Sequence, residues 1–340
     1  MSMLAAAAAG MNFPEWSPAL FTIPAFELFG NTFGPFPLRW YALGYISGIV
    51  LGFWYMGVLA RRVGLTGERQ RVTSEALDDL LFWAIIGIIV GGRVGYVLFY
   101  LLPFTPDAVL SDPLTIIRVW DGGMSFHGGL LGVTAALIHV ARKHGTHFLR
   151  LTDLAACAAP IGIGLVRVAN FTNAELYGRE IPAGGPQHLG VVFPEGRSTV
   201  PGGPPDAYDW QAGEWVYSGA ELPRYPSQLY EALLEGFLLF AVLALLVWVF
   251  RILRRPGLAT GVFLIGYGLG RTVAENFREP DAHIGFLEFL PLKLTMGMLL
   301  SAPMYIGGAY LIWRALTKPP VDGDAPQPPP AASKAIDKAA

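Results

Sequence analysis

The chain has one cysteine in 340 residues, Cys157, so it can form no intramolecular disulfide, no C-x-x-C redox pair and no cysteine-based metal site. Charge is scarce: 15% of residues are Asp, Glu, Lys or Arg, against about 25% in an ordinary soluble domain. There is no H-E-x-x-H sequence and no convincing pair of intramembrane aspartates, which removes the usual signatures of an intramembrane protease. No internal repeat is visible, which lowers the case for an inverted-repeat transporter. Met1 to Gly10 is alanine-rich but has no basic segment, so it does not read as a cleaved signal peptide.

What is present is apolar. Hydrophobic residues make up 53% of the chain and the mean hydropathy is +0.44, as in an all-α integral membrane protein. Crossing a bilayer takes about 17–25 apolar residues. Seven runs meet that need, at 40–60, 77–102, 125–141, 152–171, 228–250, 257–278 and 290–315; the third is short and Gly-rich. Fourteen of the 24 basic residues fall in 61–75, 142–150, 251–256 and the tail after 313, while the alternate loops hold only Arg39, Arg118, Arg179, Arg197 and Arg224. The positive-inside rule therefore predicts seven transmembrane helices with the N-terminus outside and the C-terminus cytoplasmic. Residues 1–39 read as an extracytoplasmic arm, 40–173 as helices 1–4 and 227–316 as helices 5–7. Residues 174–226, between helices 4 and 5, read as a small extracytoplasmic loop domain, since 182–205 holds twelve Gly or Pro in 24 positions. The Pro/Ala-rich segment 317–340 reads as a disordered cytoplasmic tail.

A charged group inside a bilayer costs several kcal/mol unless paired or hydrated, and so usually marks a site. On this topology Arg93, His127, Arg167, Asn170, Glu231, Arg271, Glu275 and Arg278 all fall in the outer halves of their spans. Tyr267, Arg271, Glu275 and Arg278, at i, i+4, i+8 and i+11, stay within an arc of roughly 80° of one helix face, and Arg271 and Glu275 are spaced to pair. Blander readings stand beside this one. Arg39, Arg118 and Arg278 near span ends would equally suit snorkelling to headgroups, Arg271–Glu275 a purely structural pair, and His127 a neutral interfacial histidine. Cys157, in the inner half of span 4, reads as a small core residue. The arginines would also suit a transporter, channel or binding protein for an organic anion or anionic lipid, although the inner halves of the spans are apolar.

The motifs together resemble one family, the bacterial phosphatidylglycerol–prolipoprotein diacylglyceryl transferases, over essentially all seven spans. The resemblance rests on Arg-x-x-Asn-Phe-x-Asn-x-Glu-x-x-Gly at Arg167–Gly178, His-Gly-Gly-Leu-x-Gly at His127–Gly132, and Pro-Ser-Gln-Leu-Tyr-Glu at Pro226–Glu231. It extends to Gly-Gly-Arg-x-Gly-Tyr at Gly91–Tyr96, Arg-Trp-Tyr at Arg39–Tyr41, and Tyr-Gly-x-x-Arg-x-x-x-Glu-x-x-Arg-x-Pro-Asp at Tyr267–Asp281. Val166, Ala169, Ala174 and Ala42 stand where the family often has Gly, and Tyr225 where it often has His; no charged motif residue is lost.

The resemblance implies a transferase of the bacterial inner membrane with its site on the outer, periplasmic side. It would move the sn-1,2-diacylglyceryl group from phosphatidylglycerol to the lipobox cysteine thiol of a prolipoprotein signal peptide. A thioether forms and glycerol phosphate leaves, the first step of lipoprotein maturation. No metal, cofactor or nucleic-acid partner is expected. Arg167 and Arg271 are candidates to hold the phosphate and stabilise its growing charge, because a guanidinium matches that anion in shape. His127 is a candidate base for the thiol; alternatively the arginines favour the thiolate and His127 only positions a substrate. Glu231 and Glu275 would orient arginines. Tyr41, Arg93, Asn170, Glu175, Gly178, Tyr267 and Arg278 complete the expected substrate-binding set. The polar stripe is expected to open sideways to lipid, with 174–226 as a lid or signal-peptide contact.

Overall fold

A computed structural model of the chain describes residues 10–34, 36–66, 72–194, 207–210, 212–217, 219, 221–279 and 295–319. The expected tail from residue 320, and Arg69, Arg71, Arg197 and Asp281, lie outside the described residues. Seven helices stand where the seven apolar runs were read: α1 (Trp40–Arg61), α2 (Ser74–Phe104), α3 (Phe126–Lys143), α4 (Phe148–Thr172), α5 (Ser227–Trp248), α6 (Leu258–Ala274) and α7 (Met296–Thr317). Five of them, α1, α2, α4, α5 and α7, are long and apolar enough to cross a membrane, so the chain is a multi-pass membrane protein. Helix α6, 17 residues long, is shorter, and the 18-residue α3 is not among the five.

Side chains start the helices. Thr73, Ser125 and Thr295 each accept a hydrogen bond from the amide three residues on, satisfying donors that a helix N-terminus leaves free. Helix α6 begins at Gly257, in the left-handed region at φ +94°, and has no side-chain cap of its own. Asp153 of α4 substitutes: its carboxylate accepts from the amides of Gly257 (2.7 Å) and Thr260 (2.8 Å) and from the Thr260 hydroxyl (2.7 Å).

Water gives no hydrophobic push between helices inside lipid, so close backbone approach through small residues does the packing. Gly87, Gly91 and Gly95 of α2 meet Gly128 and Gly132 of α3, and a Cβ on Gly95 would lie 2.8 Å from Gly128 Cα. Gly164 of α4 and Gly236 of α5 touch in the same way. The main buried core gathers at one end of the bundle, from Leu59, Leu80, Val140, Leu151, Leu154, Cys157, Val247 and Leu258.

The all-helical expectation needs one adjustment outside the spans. The arm and the loop domain carry eight short strands among the described residues, in four two-stranded pairs. In the arm β2 (Ala19–Ile23) pairs with β5 (Phe36–Arg39), and β3 (Phe26–Leu28) with β4 (Asn31–Phe33). Strand β1 (Met11–Asn12) lies parallel to β6 (Val191–Val192), which joins arm to loop domain, and β7 (Tyr208–Asp209) pairs with β8 (Glu214–Trp215). Phe13, Phe171, Val191 and Phe193 bury together over the end of α4, with Trp215 packed against them. Apolar collapse, not strand length, fixes this joint, since two-residue strands have little stability alone.

Candidate active site

The other end of the bundle holds a charged cluster built from the end of α4, the start of α5 and the end of α6. Its hub is Glu231, which is fully buried. Glu231 forms an ion pair with Arg167 Nη2 (2.8 Å) and accepts from Arg278 Nη1 (2.8 Å) and Arg271 Nη1 (3.4 Å). Glu275, 3% exposed, forms ion pairs with Arg271 Nη2 (2.5 Å) and Arg278 Nε (3.4 Å). Ionised carboxylates and guanidiniums are tolerable at such burial only when paired this closely. Among the paired groups, three guanidiniums face two carboxylates, an excess of one positive charge. The three arginine side chains keep 16–20% of their surface accessible, so each presents an open edge.

Backbone pairing outside the helices fixes the cluster. Helix α6 ends at Ala274, so Arg278 reaches the cluster from the turn beyond the helix and not from a continuous helical stripe. Gly178 forms a bridge with Arg278. The Gly178 amide donates to Tyr225 O (2.8 Å), the Arg179 amide to Phe277 O (2.9 Å) and the Tyr225 amide to Arg179 O (3.0 Å). Three segments, after α4, before α5 and after α6, are thereby tied together. Gly178 is required sterically: a Cβ there would lie 2.8 Å from Tyr225 O and closer still to Phe277 O. The Arg179 side chain adds bonds to Arg278 O (2.5 Å) and Glu275 O (2.9 Å).

Asn170 is 1% exposed and neither of its amide atoms has a partner among the described residues. A buried amide left so costs about 1–3 kcal/mol. The exposed Glu175 side chain accepts from Asn173 Nδ2 (3.0 Å), and its carbonyl from Gln228 Nε2 (2.6 Å). Ala174 and Leu176 both adopt positive φ, +53° and +56°. Ala174 is one of the positions where the family often has Gly, so this chain keeps the glycine-like backbone at some cost in strain.

Other expected site residues make no ion pair with the charged cluster among the described residues. Arg93, 7% exposed, spends its guanidinium on the carbonyls of Ile116 (2.9 Å), Gly122 (2.7 Å), Gly123 (3.0 Å) and Thr115, and lies over the Tyr96 ring. It thus holds the loop that leads into α3. His127 sits in the first turn of α3, exposed, with its ring against Phe126 and no ion pair among the described residues. The Tyr41 hydroxyl shares a 2.9 Å hydrogen bond with that of Tyr45 on α1, and Tyr267 stacks on Phe263 within α6. Two side chains that sequence reasoning left aside flank the cluster without belonging to its ion pairs: Arg179, read as a loop residue, and Glu235. The latter is fully buried one turn beyond Glu231, and its only signal was a carboxylate inside an apolar run.

Comparison with known proteins places the chain in a family. The family model described as prolipoprotein diacylglyceryl transferase matches residues 29–314. A phosphatidylglycerol–prolipoprotein diacylglyceryl transferase of Brucella anthropi is 45% identical over 311 residues, 91% of this chain and 95% of that protein. Its counterparts in Brucella canis and Brucella ovis are 44% identical over the same shares. The match spans every helix that builds the Glu231 cluster, and the chain belongs to the prolipoprotein diacylglyceryl transferase family.

Proposed function

We propose that the chain transfers the sn-1,2-diacylglyceryl group of phosphatidylglycerol to the lipobox cysteine thiol of prolipoprotein signal peptides. The observation that carries this reading is the buried Glu231 cluster, with one unbalanced positive charge and three partly open guanidiniums. A phosphodiester carries one negative charge and gains another as the carbon–oxygen bond to the diacylglyceryl group breaks. Arg167 and Arg271 hold that phosphate and stabilise the growing charge, in surroundings where such interactions are stronger than in water. The thiolate sulfur forms the new bond to the diacylglyceryl carbon, glycerol phosphate leaves, and the thiol proton passes to a base. His127 is the candidate base, and an open arginine edge favouring the thiolate is the alternative.

Glu231 and Glu275 orient the arginines, and Arg278 completes the set. Asn170, Glu175 and Tyr267 contact the headgroup or align its partners, and Tyr41 does so from α1. Gly178 holds the segments together, and Arg93 acts through the loop that presents His127. All seven helices cross the bacterial inner membrane, with the N-terminus outside, the C-terminus cytoplasmic and the cluster facing the periplasm. Residues 1–39 form the arm, 174–226 the loop domain near the site and 317–340 the cytoplasmic tail. The arginine cluster sits at one end, while at the other the apolar core closes around Asp153, whose carboxylate is spent on the start of α6, which favours chemistry at one face over passage of an anion. The test uses purified protein in detergent, labelled phosphatidylglycerol and a lipobox peptide with one cysteine, read by mass spectrometry. A diacylglyceryl mass that disappears with a Cys→Ser peptide supports the reading. No product under conditions where a relative is active refutes it.

A further inference from the structure

Glu235 is the buried acid that the reaction as written does not use. It lies in the π-helical stretch of α5, Ala232–Leu238, four residues beyond Glu231, and is fully buried. Neither carboxyl oxygen has a hydrogen-bond partner among the described residues. Opposite it is Gly270 of α6, where an added Cβ would stand 3.3 Å from Glu235 Cγ and crowd it. A π-helical turn within an α-helix re-aims side chains and is often found at functional sites. The charged and titratable groups that reach Glu235 are Glu231 from its own helix, Arg167 from α4, and Tyr267, Arg271 and Arg278 from α6 and the turn after it. The arginines are already committed to Glu231 and Glu275.

An ionised carboxylate with no donor of its own, beside the Glu231 carboxylate and inside a bilayer, is far costlier than the neutral acid. We propose that Glu235 stands as a neutral carboxylic acid beneath the arginine cluster, and that its neutrality sets the cluster at one net positive charge, the complement of a phosphodiester monoanion. Ionised, Glu235 would cancel that charge, and the bound lipid would then make the site net negative. Arg179 and Glu175 at the rim carry opposite charges and leave the balance unchanged. Glu235 is therefore a positioning residue acting through charge, and its role rests on the proposed use of phosphatidylglycerol.

Two measurements on the full-length protein test this. The first is infrared difference spectroscopy, wild type against Glu235→Gln, at neutral pH. The protonated-carboxyl carbonyl band is expected in the wild type and absent from the variant. The second is transfer from phosphatidylglycerol to the lipobox peptide. Glu235→Gln, which copies the neutral acid, is expected to keep kcat and KM within about threefold, less than one uniform tenfold step of transition-state stabilisation. Absence of the band, or a hundredfold loss of kcat in a folded Glu235→Gln protein, overturns the proposal, because the carboxylate form would then be needed. If the variant does not fold, the wild-type band decides by its response to alkaline pH: loss of a carboxyl band on ionisation supports the neutral state, and no such band refutes it. A wild-type protein that makes no product refutes the transferase reading, while the band still reports the charge of Glu235.

Discussion

The two ends of the helix bundle treat buried polar groups in opposite ways, and α4 takes part in both. At the end where α4 begins, Asp153 is 1% exposed, and its carboxylate is met by three donors that together start α6. Around it Leu151, Leu154, Cys157, Val247 and Leu258 close a continuous apolar core. At the end where α4 stops, Asn170 and Glu235 are buried without partners among the described residues, and three guanidiniums keep an open edge. Satisfied polar groups hold a fold together; unsatisfied ones gathered at one place call for an explanation other than stability. Arg150 blurs the contrast: at the apolar end its Nη1 donates to Thr66 O (2.7 Å), while two other nitrogens lack partners among the described residues.

Substitutions at each end should separate catalysis from stability. The largest effect is expected from Arg167→Ala and Arg271→Ala, which should abolish measurable transfer, a loss of at least about 10²–10³-fold, while membrane insertion and size-exclusion profiles stay unchanged. Glu231→Ala should follow with both losses at once, because three arginines lose a shared partner. Breaking such a buried network costs about 3–5 kcal/mol, so both the thermal midpoint and turnover should fall. At the opposite end, Leu154→Ala should cost about 2–5 kcal/mol of stability and leave kcat/KM of the surviving folded protein nearly unchanged; a loss of turnover as large as that of Arg271→Ala would erase the distinction between the ends. Cys157→Ala should lower the midpoint slightly and leave transfer intact, which peptide labelling by mass spectrometry can check. The smallest effect is expected for Ala174→Gly, which relieves a positive-φ alanine and should stabilise by up to about 1–2 kcal/mol, read as a rise in the thermal midpoint.

Local periodicity made much of this legible beforehand. Seven apolar runs stood out because lipid-facing helices need length and little else, and Arg271–Glu275 was readable because i,i+4 neighbours meet on any helix. That Glu231 orients arginines was expected from the family resemblance; that three of them converge on it was not, since Arg167, Arg271 and Arg278 come to it from two other parts of the chain. The end of α6 at Ala274 was hidden because Arg278 continues the helical spacing, yet it is held by its bridge to Gly178, 100 positions earlier. The pairing of Met11 with Val191 is equally non-local. Arg93 read as a site arginine by its motif, and only the folded loop reveals the four carbonyls it binds. Glu235 escaped notice because burial without a partner, the property that singles it out, is not written in sequence spacing.

The central claim is that the Glu231-anchored arginines act on the phosphate of phosphatidylglycerol. Release of labelled glycerol phosphate, measured side by side for wild type, Arg167→Ala and Arg271→Ala with the single-cysteine lipobox peptide present, tests it most directly. Release by the wild type in step with peptide modification, and none above background from either folded variant, is the predicted result. Release at the wild-type rate from either variant would contradict it.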